Sequence, residues 1–482
     1  MTRLVVGPFN RVEGDLEITL DIAEGQVRAA HVNSPLFRGF EQILLGKDPF
    51  DALVFVPRIC GICSVSQSTA AAAALAQVMG ITPPPNGRLA TNLILANENL
   101  ADHFTHFYLF FMPDFARAAY RGRPWFEQAA ARFKAMQGSA AADALPARAA
   151  FLQLMGLLAG KWPHTLTIQP GGSTRPIQTS EKIRLYALLR QFRAYLERTL
   201  FGDALEAVAA LASAAELAAW REARPAGHSD FRLFLEIARD LRLHELGRAT
   251  DRFISYGNYP LEEGKLFRAG VWDGALQPVD EQAISEDLSH AWMDAAEVVQ
   301  HPLMGETLPL AEKEGAYSWC KAPRWNGKAA EAGALARQVV HGHPLIRDLV
   351  QASGGNVANR VIARLLELAL VVPAMERWVQ ALELGEPYCH QGAMPDEACG
   401  TGMIEAARGA LGHWLSVRHG RIFNYQIIAP TTWNFSPRDA RGVPGPLEQA
   451  LVGTPAGPDE RVPVAVQHVV RSFDPCMVCT VH

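Results

Sequence analysis

The sequence predicts an α+β fold in which helices predominate: a core of long helices, a small antiparallel β region at the N-terminus, and a buried metal site where the two ends of the chain meet. Three observations support this. Apolar and polar residues alternate near the N-terminus, helical periodicity dominates after residue 65, and one Cys-x-x-Cys pair lies near each end. We expect a single domain over 1–482, with a β-rich region at 1–60, a mainly helical body at 61–430 and a metal-binding segment at 431–482.

The predicted β region rests on residues 17–32, where apolar and polar side chains alternate on either side of Glu24 and Gly25. This pattern is typical of a β-hairpin. Farther along, apolar residues recur every three to four positions, which predicts helices. The predicted helices cover Ser68–Met79, Asn92–Phe111, Glu181–Leu200, Ala204–Glu222, Asp230–Leu243, Ala329–Ala352 and Val357–Leu384. Clusters of Pro and Gly predict loops at 80–88, 169–176, 256–264 and 438–446.

The amino-acid composition excludes some classes of function. Hydrophobic residues make up 49% and charged residues 20% of the chain, which provides for a large core and gives no sign of disorder. The net charge of −5 and the lack of a Lys/Arg block argue against binding to nucleic acids or anionic membrane surfaces. The N-terminus lacks the apolar stretch of a signal peptide, and Glu367 and Pro373 interrupt the longest apolar run. We therefore expect a cytoplasmic protein without a membrane span.

Two cysteine pairs carry the strongest chemical signal. Cys60 with Cys63, and Cys476 with Cys479, each have the spacing of a metal or redox pair. Taken alone, either pair fits a redox couple, half of a zinc site or two inert thiols. The pairs are 413 residues apart (476 − 63), far more than the roughly 15–20 of a zinc ribbon, so a shared site would join both chain ends inside the fold. We expect the scattered Cys320, Cys389 and Cys399 to be ordinary thiols.

Seven segments, spread over nearly the whole chain, extend this signal. They are FNRVEGDLEI (9–18), RGFE (38–41), PRICGIC (57–63), DHFTHFY (102–108), EAARGALGHW (405–414), NYQIIAPTTWN (424–434) and SFDPCMVCTVH (472–482). In this order they resemble the large, catalytic subunit of nickel-iron hydrogenases. Nickel, iron and H2 enter through this resemblance alone, because composition and spacing indicate only four thiols and a metal site.

The resemblance implies heterolytic cleavage of H2 at a nickel-iron centre whose iron carries carbonyl and cyanide ligands. It implies that Cys60 and Cys476 are terminal thiolates on nickel, and that Cys63 and Cys479 bridge nickel and iron. Soft thiolates suit both metals. Three scattered cysteines cannot form the usual four-cysteine cluster site, so we expect an iron-sulfur small subunit to take the electrons.

The resemblance also implies roles for residues around the centre. Cys476 is expected to be the first proton acceptor, and Glu13 is expected to pass the proton on. Arg408 resembles the guanidinium held over the open metal position. Asp102 and Asp474 resemble the carboxylates that hold this guanidinium in place.

Two further groups follow from the same resemblance. The hydroxyl of Thr431 is expected to hydrogen-bond a cyanide ligand. Glu41, His482 and the carbonyl of Ile427 resemble the ligands of a separate magnesium or iron(II) ion. Such a site would order the C-terminal segment.

Differences from the common family pattern indicate a branch. Most energy-converting members carry His where this chain has Gln67, and the sequence ends at His482 without a C-terminal extension. Both features resemble the regulatory, H2-sensing branch, which implies slow turnover and signalling through a histidine kinase. An energy-conserving uptake hydrogenase is the alternative, and a structural tetrathiolate zinc protein is a distant one. Ile62 and Phe110 replace smaller residues of many oxygen-sensitive members, so we expect them to narrow the gas channel.

Overall fold

The computed structural model describes residues 2–294, 296–457 and 460–482. The helices are α1 (Phe40–Leu44), α2 (Ala52–Phe55), α3 (Ser64–Met79), α4 (Pro85–Thr105), α5 (Phe126–Phe133), α6 (Ser139–Phe151), α7 (Gln153–Ala159), α8 (Thr179–Tyr195), α9 (Leu205–Ala209), α10 (Ala214–Glu222), α11 (Asp230–Asp240), α12 (Ala334–His341), α13 (Pro344–Ser353), α14 (Val357–Ala381), α15 (Pro430–Asn434), α16 (Pro446–Leu451) and α17 (Val464–Ser472). The predicted α+β fold with a predominance of helices is confirmed.

The strands fall into several small antiparallel sheets. They are β1 (Thr2–Val6), β2 (Glu17–Ala23), β3 (Gln26–Asn33), β4 (Ile168–Gln169), β5 (Gly172–Ser173), β6 (Phe253–Ser255), β7 (Asn258–Pro260), β8 (Lys265–Phe267), β9 (Gly270–Trp272), β10 (Leu276–Gln277), β11 (Ile284–Asp287), β12 (Met293–Asp294), β13 (Val299–Gln300), β14 (Leu308–Pro309), β15 (Ala322–Trp325), β16 (Ala398–Ala406), β17 (Gly409–Arg418) and β18 (Arg421–Ile428).

The predicted N-terminal hairpin is present as β2 and β3. Glu24 and Gly25 form its turn with φ of 54° and 71°, the left-handed pair that a two-residue hairpin turn requires. The strand β1, which the sequence patterns did not delimit, pairs antiparallel with β2 and completes a three-stranded sheet.

The two longest helices, α4 and α14, pack against each other at the centre of the core. Both are buried on most sides, as expected for helices surrounded by other elements. α4 begins at Pro85, inside the predicted loop 80–88, because proline is well tolerated in the first turn of a helix, where its missing N–H is not needed. It ends at Thr105, and the rest of the predicted helix continues as a π-helical turn over His106–Phe111.

The helix predicted over 329–352 is instead two helices, α12 and α13. Gly342 ends α12 in a left-handed conformation with φ of 96°, and Pro344 starts α13. This is the usual order of helix-ending and helix-starting residues. The periodicity alone did not indicate the break.

The sheet of β16, β17 and β18 was not predicted. β17 is buried along almost its whole length, so its sequence lacks the alternation that marks a half-buried strand. α3 packs closely against β16 at two glycines. A Cβ at Gly400 would lie 2.4 Å from the carbonyl oxygen of Ala74, and one at Gly402 would lie 1.9 Å from that of Ala70. The glycines therefore permit the approach that fixes α3 on the sheet.

None of the helices in the described residues has both the length and the apolar character needed to cross a lipid bilayer.

A fully buried ion cluster joins α12, α14 and β16. Arg337 Nη2 lies 3.0 Å from Glu367 Oε1, and Arg337 Nη1 lies 2.7 Å from Glu405 Oε2. The same guanidinium donates to the carbonyls of Ala406 and Ala407, directly before Arg408. Burial alone would raise the pKa of Glu367, but Arg337 and His103 together outweigh it and lower this pKa to about 2.

Breaking this cluster should destabilise the protein strongly. We expect Arg337→Met to lower the free energy of unfolding by about 3–5 kcal/mol, because two buried carboxylates lose their partner. The half-exposed Arg190, 3.4 Å from Glu376, is the control, and Arg190→Ala should cost less than about 1 kcal/mol. Urea unfolding followed by circular dichroism measures both, and equal losses would contradict the prediction.

The same cluster should contribute to acid sensitivity. Because the folded pKa of Glu367 is about 2 and its ordinary value is 4.5, its stabilisation is complete above pH 4.5 and is lost as the pH falls towards 2. Glu367→Gln should therefore flatten the decline in unfolding free energy within this window. An unchanged slope would show that other carboxylates dominate.

Candidate metal centre

The first cysteine pair lies in the turn that leads into α3. Cys60 and Cys63 are both buried, and Ser64, the first residue of α3, follows Cys63 directly. Cys63 is the N-cap residue but makes no capping hydrogen bond through its side chain. Its sulfur therefore makes no hydrogen bond to the start of α3 and faces the other cysteines.

The second pair follows α17, where the chain turns at Asp474 with φ of 58°. The segment containing Glu13 lies alongside it: the Glu13 N–H donates to the Pro475 carbonyl at 3.3 Å, and the Met477 N–H donates to the Glu13 carbonyl at 2.7 Å. Gly14 has φ of 79°, and a Cβ there would lie 2.9 Å from Val478 Cγ1. The Glu-Gly pair thus joins the N-terminal chain to the C-terminal cysteines.

The four cysteine sulfurs, two from each end of the chain, converge as predicted. All lie within 4.8 Å of one another, and no other cluster of this kind occurs in the described ranges. The separations are 3.3 Å for Cys63 and Cys479, 3.4 Å for Cys60 and Cys476, and 3.0 Å for Cys476 and Cys479. These are longer than a disulfide and suit thiolates around a shared metal centre.

The thiols interact strongly. Burial raises the pKa of the Cys476 thiol, whereas hydrogen bonds from the neighbouring cysteines, chiefly Cys476, hold that of Cys60 well below its usual value. One thiolate is therefore stabilised by the remaining thiols. Four buried thiolates would need positive charge beyond that of the neighbouring Arg408, which fits a site made for cations.

Arg408 is held next to the cysteines by the two predicted carboxylates. Its Nη2 lies 3.0 Å from Asp102 Oδ1 and 3.3 Å from Asp474 Oδ1, and its Nε donates to the Asp474 carbonyl at 2.9 Å. All three side chains are at most 3% exposed. Burial alone would raise the pKa of the Asp474 carboxyl. Arg408 is the chief group that lowers it, and the resulting pKa lies below the ordinary value. Thr431 is adjacent, because its hydroxyl oxygen accepts the Cys476 N–H at 3.1 Å.

Glu13 and Arg38 lie where the centre comes closest to the surface. Glu13 is half-buried, and both burial and the neighbouring Cys60 raise the pKa of its carboxyl. Arg38 donates to the carbonyls of Ile59 and Val478, and so links the segments of both cysteine pairs. The sequence patterns did not assign a role to Arg38, although it begins the quoted segment RGFE.

Glu41 and His482, the side chains predicted to bind a second cation, lie in contact, and their binding of a cation stays a prediction. His482 Nε2 lies 3.3 Å from Glu41 Oε1, and the Ile427 N–H donates to the same oxygen at 2.8 Å. Lys321, which the sequence did not indicate, places its ammonium 3.0 Å from Glu41 Oε2 and 2.6 Å from Gln426 Oε1. The carboxylate and imidazole thus meet as expected, but a lysine already neutralises part of the charge.

Gln67 on α3 contacts His413 on β17. Its Oε1 lies 2.8 Å from His413 Nε2, and His413 Nδ1 lies 2.8 Å from the Tyr425 hydroxyl. Burial lowers the pKa of His413 to about 3, so the ring is neutral and donates to Gln67. The residues predicted to line the gas channel, Ile62 and Phe110, are both partly buried, and their role stays a prediction.

The chain is similar to known proteins over its whole length. The family model described as nickel-dependent hydrogenase matches residues 38–120 and 117–482. The periplasmic [NiFeSe] hydrogenase large subunit of Desulfomicrobium baculatum is 32% identical over 516 residues, covering 100% of this chain and 95% of the relative. The uptake hydrogenase large subunit of Rhodobacter capsulatus is 29% identical, with 100% and 95% covered, and the Hydrogenase-2 large chain of Escherichia coli is 28% identical, with 100% and 97% covered.

Solved structures show the same similarity. The H2-activated [NiFeSe]-hydrogenase of Dm. baculatum superposes with a TM-score of 0.86 at 30% identity, and each chain is covered over its full length. A reduced [NiFeSe] hydrogenase from D. vulgaris Hildenborough gives a TM-score of 0.84 at 29% identity, again with full coverage of both chains.

Removing any of the four clustered sulfurs should remove the bound metal. We expect Cys63→Ser or Cys476→Ser to reduce the metal content of the purified protein at least about tenfold, since four thiolates complete the site. Cys320→Ser is the matched control, because Cys320 is also fully buried but lies elsewhere. Elemental analysis measures the result, and full metal retention by either cluster variant would contradict the prediction.

Proposed function

Because the chain belongs to the nickel-dependent hydrogenase family as a large subunit, we propose that it oxidises H2 in an uptake-type enzyme and passes the electrons to an iron-sulfur small subunit. The observation that carries this proposal is the group of four buried sulfurs beside Arg408 and its two carboxylates. Full-length similarity to an uptake large subunit favours this direction of catalysis.

The residues present fit a nickel-iron group. Cys60, Cys63, Cys476 and Cys479 would hold it through their thiolates, since soft sulfur donors suit both metals. When bound, the group, with carbonyl and cyanide on iron, would supply the Lewis acidity that polarises H2 for heterolytic cleavage.

The chain itself would provide the route for the proton. Cys476 would accept the proton from H2, and Glu13 would take it onward. The two main-chain hydrogen bonds of Glu13 to Pro475 and Met477 hold it beside this cysteine. Glu13 is half-buried, so its carboxyl lies between the closed centre and the surface.

Arg408 would fix a positive charge over the metal position. Its two carboxylate partners and one carbonyl occupy Nε and Nη2, which prevents the side chain from turning away. A buried guanidinium stabilises anionic ligands more strongly than a solvated one. Thr431, already bonded to the Cys476 N–H, would donate its hydroxyl proton to a cyanide.

The electrons would leave towards a partner. Gly61, Ile62 and Val478 are only partly buried, so the centre approaches the surface on this side. An iron-sulfur cluster usually needs four cysteines, and only Cys320, Cys389 and Cys399 remain outside the site. The small subunit would therefore bind over this surface.

Glu41, His482 and Ile427 would hold a magnesium or iron(II) ion near the C-terminus. The contact of Glu41 with His482, at 3.3 Å, supports such a site. The ammonium of Lys321 at 3.0 Å reduces the charge available to a cation, so this site would bind less tightly than the sulfur site.

A regulatory H2 sensor is the second candidate, and the Gln67 contact with His413 favours it, because Gln67 is the residue that resembles that branch. A sensor would act on a histidine kinase. The cytoplasmic location inferred from the sequence stays a prediction for both candidates.

Infrared spectroscopy, nickel analysis and turnover of the purified two-subunit complex test the proposal. We expect nickel together with carbonyl and cyanide bands, and sustained H2 oxidation with an artificial electron acceptor. Slow turnover combined with H2-dependent change in kinase phosphorylation would favour the sensor. Zinc without these bands would reject both.

Glu13→Gln should interrupt proton transfer. The amide keeps the shape and the main-chain hydrogen bonds but cannot carry a proton, so we expect H2 oxidation to fall at least about a hundredfold. Nickel content should not change. Glu17→Gln, in the adjoining strand β2, is the control and should retain activity. Comparable activity in both variants would remove Glu13 from the route.

Ile62→Val combined with Phe110→Leu should make the protein oxygen-sensitive, because the smaller side chains would widen the predicted gas path. The measurement is the H2-oxidation rate after timed exposure to O2. If the double variant loses activity in O2 no faster than the parent protein, both residues only fill core volume.

A further inference from the structure

Glu98 is a buried carboxylate of α4 that lies against the first turn of α3. Its two oxygens accept the N–H groups of Val65 and Ser66, both at 2.8 Å. The Ser66 hydroxyl and the indole N–H of Trp162 also donate to it, both at 2.9 Å. The Ser64 hydroxyl donates over a longer distance of 3.5 Å, so this side chain receives five hydrogen bonds, four of them from the first residues of the helix that follows Cys63.

A helix start needs such an acceptor. The first N–H groups of a helix have no partner within it, and the side chain of the N-cap residue usually accepts one of them. Here the N-cap residue is Cys63, which makes no capping bond and directs its sulfur to the other cysteines. The acceptor comes instead from Glu98 on a different helix.

We propose that Glu98 is a positioning residue for the metal centre: it caps α3 in place of Cys63 and thereby holds the sulfur of Cys63 in a fixed position for metal binding. This rests on the proposed role of the four sulfurs as ligands. Burial raises the pKa of the Glu98 carboxyl to about 7 in spite of these hydrogen bonds, so above that pH Glu98 places a negative charge at the positive end of the α3 dipole.

Glu98→Ala removes the cap, and Glu98→Gln keeps the size of the side chain but removes its charge and one acceptor oxygen. Glu448→Gln is a matched control, because Glu448 is equally buried and accepts the Val32 N–H at 3.0 Å and the Tyr317 hydroxyl at 2.8 Å. Glu448 belongs to α16 and packs against β3 rather than α3.

The first measurement is hydrogen–deuterium exchange of the Val65 and Ser66 amides in the full-length chain, with and without metal. We expect exchange at least about tenfold faster at both amides in Glu98→Ala, and at the amide that faces the side-chain NH2 group in Glu98→Gln, because each of these N–H groups loses its acceptor. Glu448→Gln should leave these amides unchanged. If Glu98→Ala does not fold, Glu98→Gln decides the result.

The second measurement is the infrared spectrum and nickel content of the complex with the small subunit. Above pH 7, where Glu98 is ionised, the carbonyl band of Glu98→Gln should shift to higher wavenumber, since removal of a nearby negative charge lowers the electron density on iron. Glu448→Gln should give the parent spectrum. Exchange rates and a band position equal to those of Glu448→Gln would overturn the proposal. Absence of nickel from the parent protein would instead reject the proposed function, while the exchange data would still test the cap.

Discussion

The convergence of four sulfurs from opposite ends of the chain is the constraint on which the remaining structure depends. Cys63 and Cys476 are separated by 413 positions, and closing so long a loop costs on the order of 5 kcal/mol in chain entropy. Directional contacts help to offset that cost. The main chain around Glu13 pairs with Pro475 and Met477, and Arg38 bridges Ile59 and Val478.

Buried charge is a second organising feature, and it is arranged in layers around the sulfurs. Arg408 with Asp102 and Asp474 forms the inner layer, and Arg337 with Glu367 and Glu405 lies behind it. Such clusters add little net stability compared with apolar packing, but removal of one partner is costly. Their value is geometric, since each guanidinium permits few arrangements of the elements that it connects.

Much of this could be predicted from the sequence, and the omissions have physical causes. The hairpin around Gly25 and the long helices followed from periodicity, whereas the meeting of the cysteine pairs followed from their spacing together with the resemblance to a known family. The β16–β18 sheet was missed because β17 is buried on both faces and loses its alternation. Contacts such as that of Gln67 with His413, separated by 346 positions, leave no local pattern. Lys321 and Glu98 were missed for the same reason. From the sequence, an isolated charged residue is expected to be exposed to solvent, and only the fold shows that these two have buried partners.

The distance between the cysteine pairs along the chain also bears on biosynthesis. At about 5–20 residues per second, a ribosome needs on the order of 20–80 s to synthesise the 413 positions between Cys63 and Cys476. During that interval the first pair has emerged without its counterparts, and its thiols are open to oxidation or to the wrong metal. Docking of the segment that contains Cys476 and Cys479 is therefore a late step, and Cys60 and Cys63 lack these two partners until it has been synthesised.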